Sequence, residues 1–189
     1  MIPVNEPKIG DQERDYLLEC LERGWISSAG EYIQKFESSW AKYCGRRHGI
    51  VTSSGTTALH TAVACLNLEV GDEVIIPTFT IISCALAVLY NGGVPVLVDA
   101  DPHTWCMDIN QVDAVITSRT RAIMAVHIYG HPVDMDPLLA LADEHNLTVI
   151  EDAAEAHGAQ YLRGHGGEKT EWVRCGSVGK VSVFSFYAN

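Results

Sequence analysis

Apolar residues change their rhythm twice along the chain. Over residues 11–23 (DQERDYLLECLER) they recur at helical spacing behind an acidic first turn, and Gly24 is placed to end the helix. Residues 25–30 read as a loop. Over Glu31–Tyr43, Ile33, Phe36 and Trp40 fall at i, i+3 and i+7 and mark one face of a second helix. Beyond Gly49 the pattern switches to short, continuously apolar runs. Residues 49–52, Glu73–Pro77, Val94–Val98, 122–126, 147–151 and 181–186 read as strands. Helical patterns lie between them at 58–66, Ile82–Tyr90, Ile109–Val115 and 135–145. The second change comes at 158–178, a Gly-rich, charged stretch containing RGHGGEKTEWVR, which reads as a flexible surface loop.

Strands that are apolar throughout, alternating with helices, predict an α/β fold with a mostly parallel central sheet and helices on both faces. Residues 1–45 read as an N-terminal helical segment and 46–189 as a larger sheet domain. Such sheets take ligands at the carboxyl ends of their strands. The candidate positions are therefore the polar residues just after the apolar runs: Ser54 to Thr57, Pro77 to Thr80, His127 to Tyr129, and Asp152.

Composition narrows the class. With 47% hydrophobic and 20% charged residues, the chain has enough apolar matter for a globular core. A net charge of −11 argues against a nucleic-acid partner, yet leaves room for an anion held by local backbone N–H groups. The 6 cysteines are scattered, with no CxxC pair, which predicts free thiols in a reducing cytoplasm. No Cys or His spacing suits zinc, so no metal is expected. MIPVNEPK lacks the apolar core of a signal peptide, and no apolar run is long enough to span a membrane.

Four stretches could carry chemistry. SSGTTALH, Ser53 to His60, is a small-residue turn opening a helix. Its glycine admits a ligand close to the backbone, and its helix start offers N–H groups and hydroxyls to a phosphate. Its plain alternative is a simple helix cap. It matches neither the P-loop nor the dinucleotide fingerprint. In VIEDAAEAHGA, a strand delivers Glu151 and Asp152 at its carboxyl end. A buried acid needs a cation, and a protonated pyridine nitrogen is one, though Asp152 could equally cap the following helix. HIYG places His127 after another strand, where a structural histidine is the simpler reading. SVFSFYAN sets Ser185 among aromatics, either as a phosphate ligand or as a core serine. The order of these elements, a cradle early, an acid after a middle strand and a serine late, suits pyridoxal phosphate held at its phosphate and its ring nitrogen.

With IPVNEP, GWISSAG, SSGTTALH, GDEVIIPTFT, VPVLVDAD, AVHIYGHPVDM, VIEDAAEAHGA and FSFYAN in family order, the sequence resembles the DegT/DnrJ/EryC1/StrS sugar aminotransferases over essentially its whole length. IPVNEP, GWISS and EDAAEA bring it nearest to the branch that forms GDP-perosamine. The resemblance implies the fold of the pyridoxal phosphate-dependent aminotransferases. It also implies transfer of an amino group from glutamate to a 4-keto-6-deoxy sugar nucleotide, GDP-4-keto-6-deoxymannose, by a cytoplasmic homodimer. Gly55 and Thr56 would bind the cofactor phosphate, with Ser185 as a further ligand and Asn189 beside it. Asp152 would pair with the ring nitrogen. Glu155 would lie near the ring hydroxyl, where relatives often carry Gln, and so should be protonated or hydrogen-bonded to a donor. Trp25, Ile26 and Ser27 would meet the sugar. Ile81 stands where relatives carry a stacking aromatic, the 161–176 segment is longer than usual, and Lys180 stands where relatives often carry Asp.

In the family a lysine that carries the cofactor follows the position of Asn189. Either this chain is a piece of a longer polypeptide lacking a C-terminal small domain, or a cofactor-bearing lysine comes next. The second is the expectation, because a cut through a buried strand exposes apolar surface and a sheet edge. Two other readings remain: a sugar 3-dehydratase of the same fold, with histidine in place of that lysine, and a non-catalytic fragment that binds the cofactor.

Overall fold

Five parallel strands form the centre of the computed structural model, which describes residues 6–164 and 170–186. They are β1 (Glu73–Pro77), β2 (Val94–Val98), β3 (Thr120–Val126), β4 (Thr148–Asp152) and β7 (Val181–Val183), in the order β2-β1-β3-β4-β7. Helix α3 (Gly55–Ala64) precedes β1, and α4 (Ile82–Tyr90), α5 (Ile109–Val115) and α6 (Met135–Glu144) make the crossovers. The expected α/β fold is thus what forms.

The continuous apolar runs are explained by alternation, since successive side chains of a strand face opposite sides. Val74 and Ile76 of β1, Met124 of β3 and Ile150 of β4 pack with Leu59, Val63, Ala87 and Val88 of α3 and α4. Ile75, Ile123 and Val149 pack on the other side with Val112, Met135 and Leu138 of α5 and α6. Both faces are covered, so neither register position can be polar until a strand reaches its carboxyl end. There β4 places Glu151 and Asp152 on opposite faces, both fully or almost fully buried.

Three expectations are corrected. Residues 49–52 do not pair as a strand; Val51 instead donates its amide to Glu37 Oε1 at 2.9 Å. The 158–178 stretch is not simply a surface loop. It contains an antiparallel hairpin, β5 (Gln160–Arg163) with β6 (Glu171–Arg174), whose Tyr161 joins the core beneath α6. Its Gly and charged residues masked the short strands. The last strand stops at Val183 rather than running to Phe186.

The chain divides into two units, 1–51 and 52–186. In the first, α1 (Asp11–Glu22) and α2 (Glu31–Tyr43) meet through Tyr16 and Tyr32, with ring centroids 5.1 Å apart. Arg23 joins Glu19 and Glu31 at 2.7 and 3.0 Å. Among the described residues, no helix is long and apolar enough to cross a membrane.

Candidate active site

The carboxyl ends of β1, β3 and β4 and the start of α3 bring several of the expected residues of the second unit together. Ser54 caps α3: its hydroxyl accepts from Thr57 N at 3.2 Å, and the Thr57 hydroxyl accepts from Ser54 N at 3.0 Å. The amides of Gly55 and Thr56 then have no acceptor among the described residues and point from the positive end of a ten-residue helix. Gly55 lies directly against Ser185. A Cβ on Gly55 would come within 2.8 Å of Ser185 Cβ and 3.1 Å of its Oγ. The early turn and the late serine therefore share one small space.

That contact gives a first expected outcome. Gly55→Ala should lower stability by about 1–3 kcal/mol through overpacking, and adding Ser185→Gly should restore most of it. Denaturant unfolding of the four proteins in the cycle measures the coupling; independent, additive effects would contradict the contact.

The acid end is Asp152. Its Oδ1 accepts from Ala154 N at 3.0 Å, and its Oδ2 faces Cys84 Sγ at 3.2 Å. The side chain is buried, and among the described residues no lysine or arginine pairs with it. Burial pushes its carboxyl above the ordinary range, with only partial relief from Ala154 and Cys84. A buried carboxylate in this state favours a cationic partner. The cradle and the acid are linked by consecutive residues in the first turn of α4. Ser83 Oγ is 2.9 Å from Thr56 Oγ1, and Cys84 meets Asp152. The arrangement suits a small planar molecule carrying an anion at one end and a protonated ring nitrogen at the other.

Glu155 Oε2 accepts from Tyr129 N at 2.8 Å. Tyr129 holds φ at 49°, a left-handed conformation uncommon for a bulky residue, and precedes Gly130 at φ 79°. Its ring lies 6.2 Å from that of Phe79, which also meets Trp105 at 5.3 Å. Ile81 is largely exposed at the N-cap of α4. Trp25, Ile26 and Ser27 lie in the first unit, in the loop between α1 and α2, with Trp25 and Ile26 exposed. Asn189 lies outside the described residues.

Glu151 departs from the sequence reading, while His127 takes the structural role that was its simpler reading and does not turn toward the ligand end. It is buried, accepts Val133 N at Nδ1 (3.0 Å), and so donates from Nε2 to Glu151 Oε2 at 3.2 Å. Glu151 likewise faces away from Asp152 and binds the turn before β7. The contributions of Ser83 and Cys84 were missed; the one signal was two polar residues opening an otherwise apolar helix.

Comparisons with known proteins give the family and the fold. The model of the DegT/DnrJ/EryC1/StrS aminotransferase family matches residues 7–189. The chain is 50% identical over 188 residues to a GDP-perosamine synthase of Caulobacter vibrioides, covering 100% of this chain and 48% of the relative. It is 45% identical to a GDP-perosamine synthase of Escherichia coli O157:H7, covering 100% of this chain and 49% of the relative. Among solved structures, the aminotransferase from Psychrobacter cryohalolentis matches with a TM-score of 0.87 and 34% identity, over 97% of this chain and 45% of that one. The chain spans about half the length of the curated relatives it matches.

Proposed function

The chain belongs to the DegT/DnrJ/EryC1/StrS aminotransferase family, and on that footing we propose that it is the cofactor-binding half of a nucleotide-sugar aminotransferase. The reaction moves the amino group of glutamate to the 4-keto carbon of GDP-4-keto-6-deoxymannose, releasing 2-oxoglutarate and forming GDP-perosamine, a sugar for lipopolysaccharide O-antigen. It works as a cytoplasmic homodimer with pyridoxal phosphate. When bound, that cofactor supplies an electron sink and a carrier for the amino group.

The observation that carries the reading is Asp152: a buried acid with no lysine or arginine partner among the described residues, joined through the first turn of α4 to an open helix N-terminus. The residues fit the group at both ends. Gly55 and Thr56 offer amides and a hydroxyl to the phosphate, the absent Cβ of Gly55 leaves space, and Ser185 lines it. Asp152 holds the proton on the ring nitrogen. Glu155, fixed by Tyr129 N, would stand near the ring hydroxyl. Ile81 would give the ring an aliphatic contact.

The test uses the full-length protein with pyridoxal phosphate, glutamate and GDP-4-keto-6-deoxymannose. A visible absorption band and glutamate-dependent formation of a 4-amino sugar with equimolar 2-oxoglutarate are the expected results. Loss of the 3-hydroxyl without net amine transfer would replace the reading with a dehydratase. A colourless, inert protein would replace it with a non-catalytic one.

A further inference from the structure

The role of Ser83 and Cys84 goes beyond the ligand set above. We propose that the first turn of α4 is a spacer: Ser83 and Cys84 are positioning residues that fix the phosphate anchor and the acid anchor of the cofactor site relative to one another. This rests on the proposed function and adds a device to it.

Consecutive residues of a helix project about 100° apart, so one turn can reach two different elements. Ser83 reaches across to α3 and Cys84 down to the end of β4. Both are buried, at 7% and 0% exposure, while their neighbours Ile81 and Ile82 are 61% and 66% exposed. The buried face of this turn is therefore its polar one, the reverse of what an apolar helix needs for packing. Each polar atom has a partner in the site. The Thr56 and Ser83 hydroxyls bond at 2.9 Å. The Thr80 hydroxyl lies 3.1 Å from Cys84 Sγ, and the thiol donates onward to Asp152 Oδ2.

The thiol suits its place. Burial and then the charge of Asp152 push it well above its ordinary value, so it stays protonated and can donate. An ionised carboxylate has about four lone-pair sites, of which the thiol and Ala154 N occupy two. A neutral, weak donor orients Asp152 without neutralising it, so the acid keeps its demand for a cation. A lysine here would end that demand. Cys84 from α4 touches Asp152, while His127 from the end of β3 and Glu155 beyond β4 act on its charge without bonding it.

The experiment uses the full-length protein and pyridoxal phosphate itself. Affinity is read from the visible band across pH, and the S–H stretch is isolated by infrared difference against Cys84→Ala. In the cofactor-free protein the stretch should be that of a hydrogen-bonded thiol, and it should shift when pyridoxal phosphate is added. Cys84→Ala should weaken cofactor binding about three- to tenfold, the size of one net hydrogen bond. It should also move the acid limb of the affinity profile to higher pH, because Asp152 loses a donor. Ser83→Ala should weaken binding by a similar factor and leave that limb in place. Cys84→Ser, which keeps a donor, should return the limb to wild-type pH or below. Wild-type binding with both alanine variants unchanged in affinity and acid limb would overturn the spacer alone. A wild-type protein that binds no pyridoxal phosphate would overturn the proposed function and the spacer together.

Discussion

Asp152→Asn should make the cofactor-free protein more stable and the enzyme nearly inactive. The two effects share one cause. Burial raises the Asp152 carboxyl above its ordinary value in the folded state. An unfolded aspartate titrates near ~3.9, so between that value and the folded one the native state holds a proton that the unfolded state has lost. Stability then falls as pH rises through this window, and the loss is complete once the pH lies above the folded value. Asparagine carries no charge to bury and escapes it. The variant's advantage should be absent below the unfolded value, grow as pH rises, and level off above the folded value. In the loaded enzyme the same substitution removes the anion that keeps the ring nitrogen protonated. Turnover should fall by on the order of a hundredfold or more, as when one preorganised electrostatic group is deleted. Thermal unfolding across pH, with turnover of the full-length protein, checks both. An Asn variant that is both less stable without cofactor and fully active would remove Asp152 from the site.

The pairing of opposite effects also indicates which features the sequence could show. The continuous apolar strands were legible because both sheet faces are covered, and the strand ends at His127 and Asp152 followed from the same rule, whereas the turn at Ser54 follows no strand. What the sequence hid depended on alternation at a single step. Glu151 and Asp152 look equivalent as neighbours, yet one residue's shift along β4 sends them to opposite faces. His127 followed Glu151 to the far side for the same reason. The β5–β6 hairpin was hidden because Gly and charge dominate its surroundings, while its anchoring residues, Tyr161 and Val173, are only two in a polar stretch. Ser83 and Cys84 were hidden because their partners, Thr56 and Asp152, are 27 and 68 residues away in the chain.

Glu151→Ala should cost about 3–5 kcal/mol, the range for removing one partner from a buried charge network. Glu151 is fully buried, and both oxygens are used. Oε1 accepts from Val178 N and Gly179 N at 2.9 and 2.5 Å, and Oε2 from Gly176 N at 2.7 Å and His127 Nε2 at 3.2 Å. The turn fits tightly around it: a Cβ on Gly179 would lie 2.9 Å from Val149 O and 3.1 Å from Glu151 Oε1. Glu151→Gln keeps the volume but supplies one acceptor oxygen, and its amide would face two donors, so most of the loss should remain. Burial pushes the Glu151 carboxyl up, but the bonds from His127, Gly179 and Gly176 outweigh it and hold the group below its usual range. This carboxyl therefore adds stability above the unfolded glutamate value of about 4.3, and that stability disappears as pH falls through the lower folded value. Both variants should flatten this acid limb of the stability curve, opposite in sign to Asp152→Asn. The turn leads into β7 and hence to Ser185, so cofactor affinity should fall along with stability, unlike the split expected at Asp152. Urea unfolding from pH 3 to pH 7, with cofactor titration, reads both quantities. A loss under about 1 kcal/mol would mean that water or a shifted turn replaces the carboxylate, and that Glu151 does not hold the entry to β7.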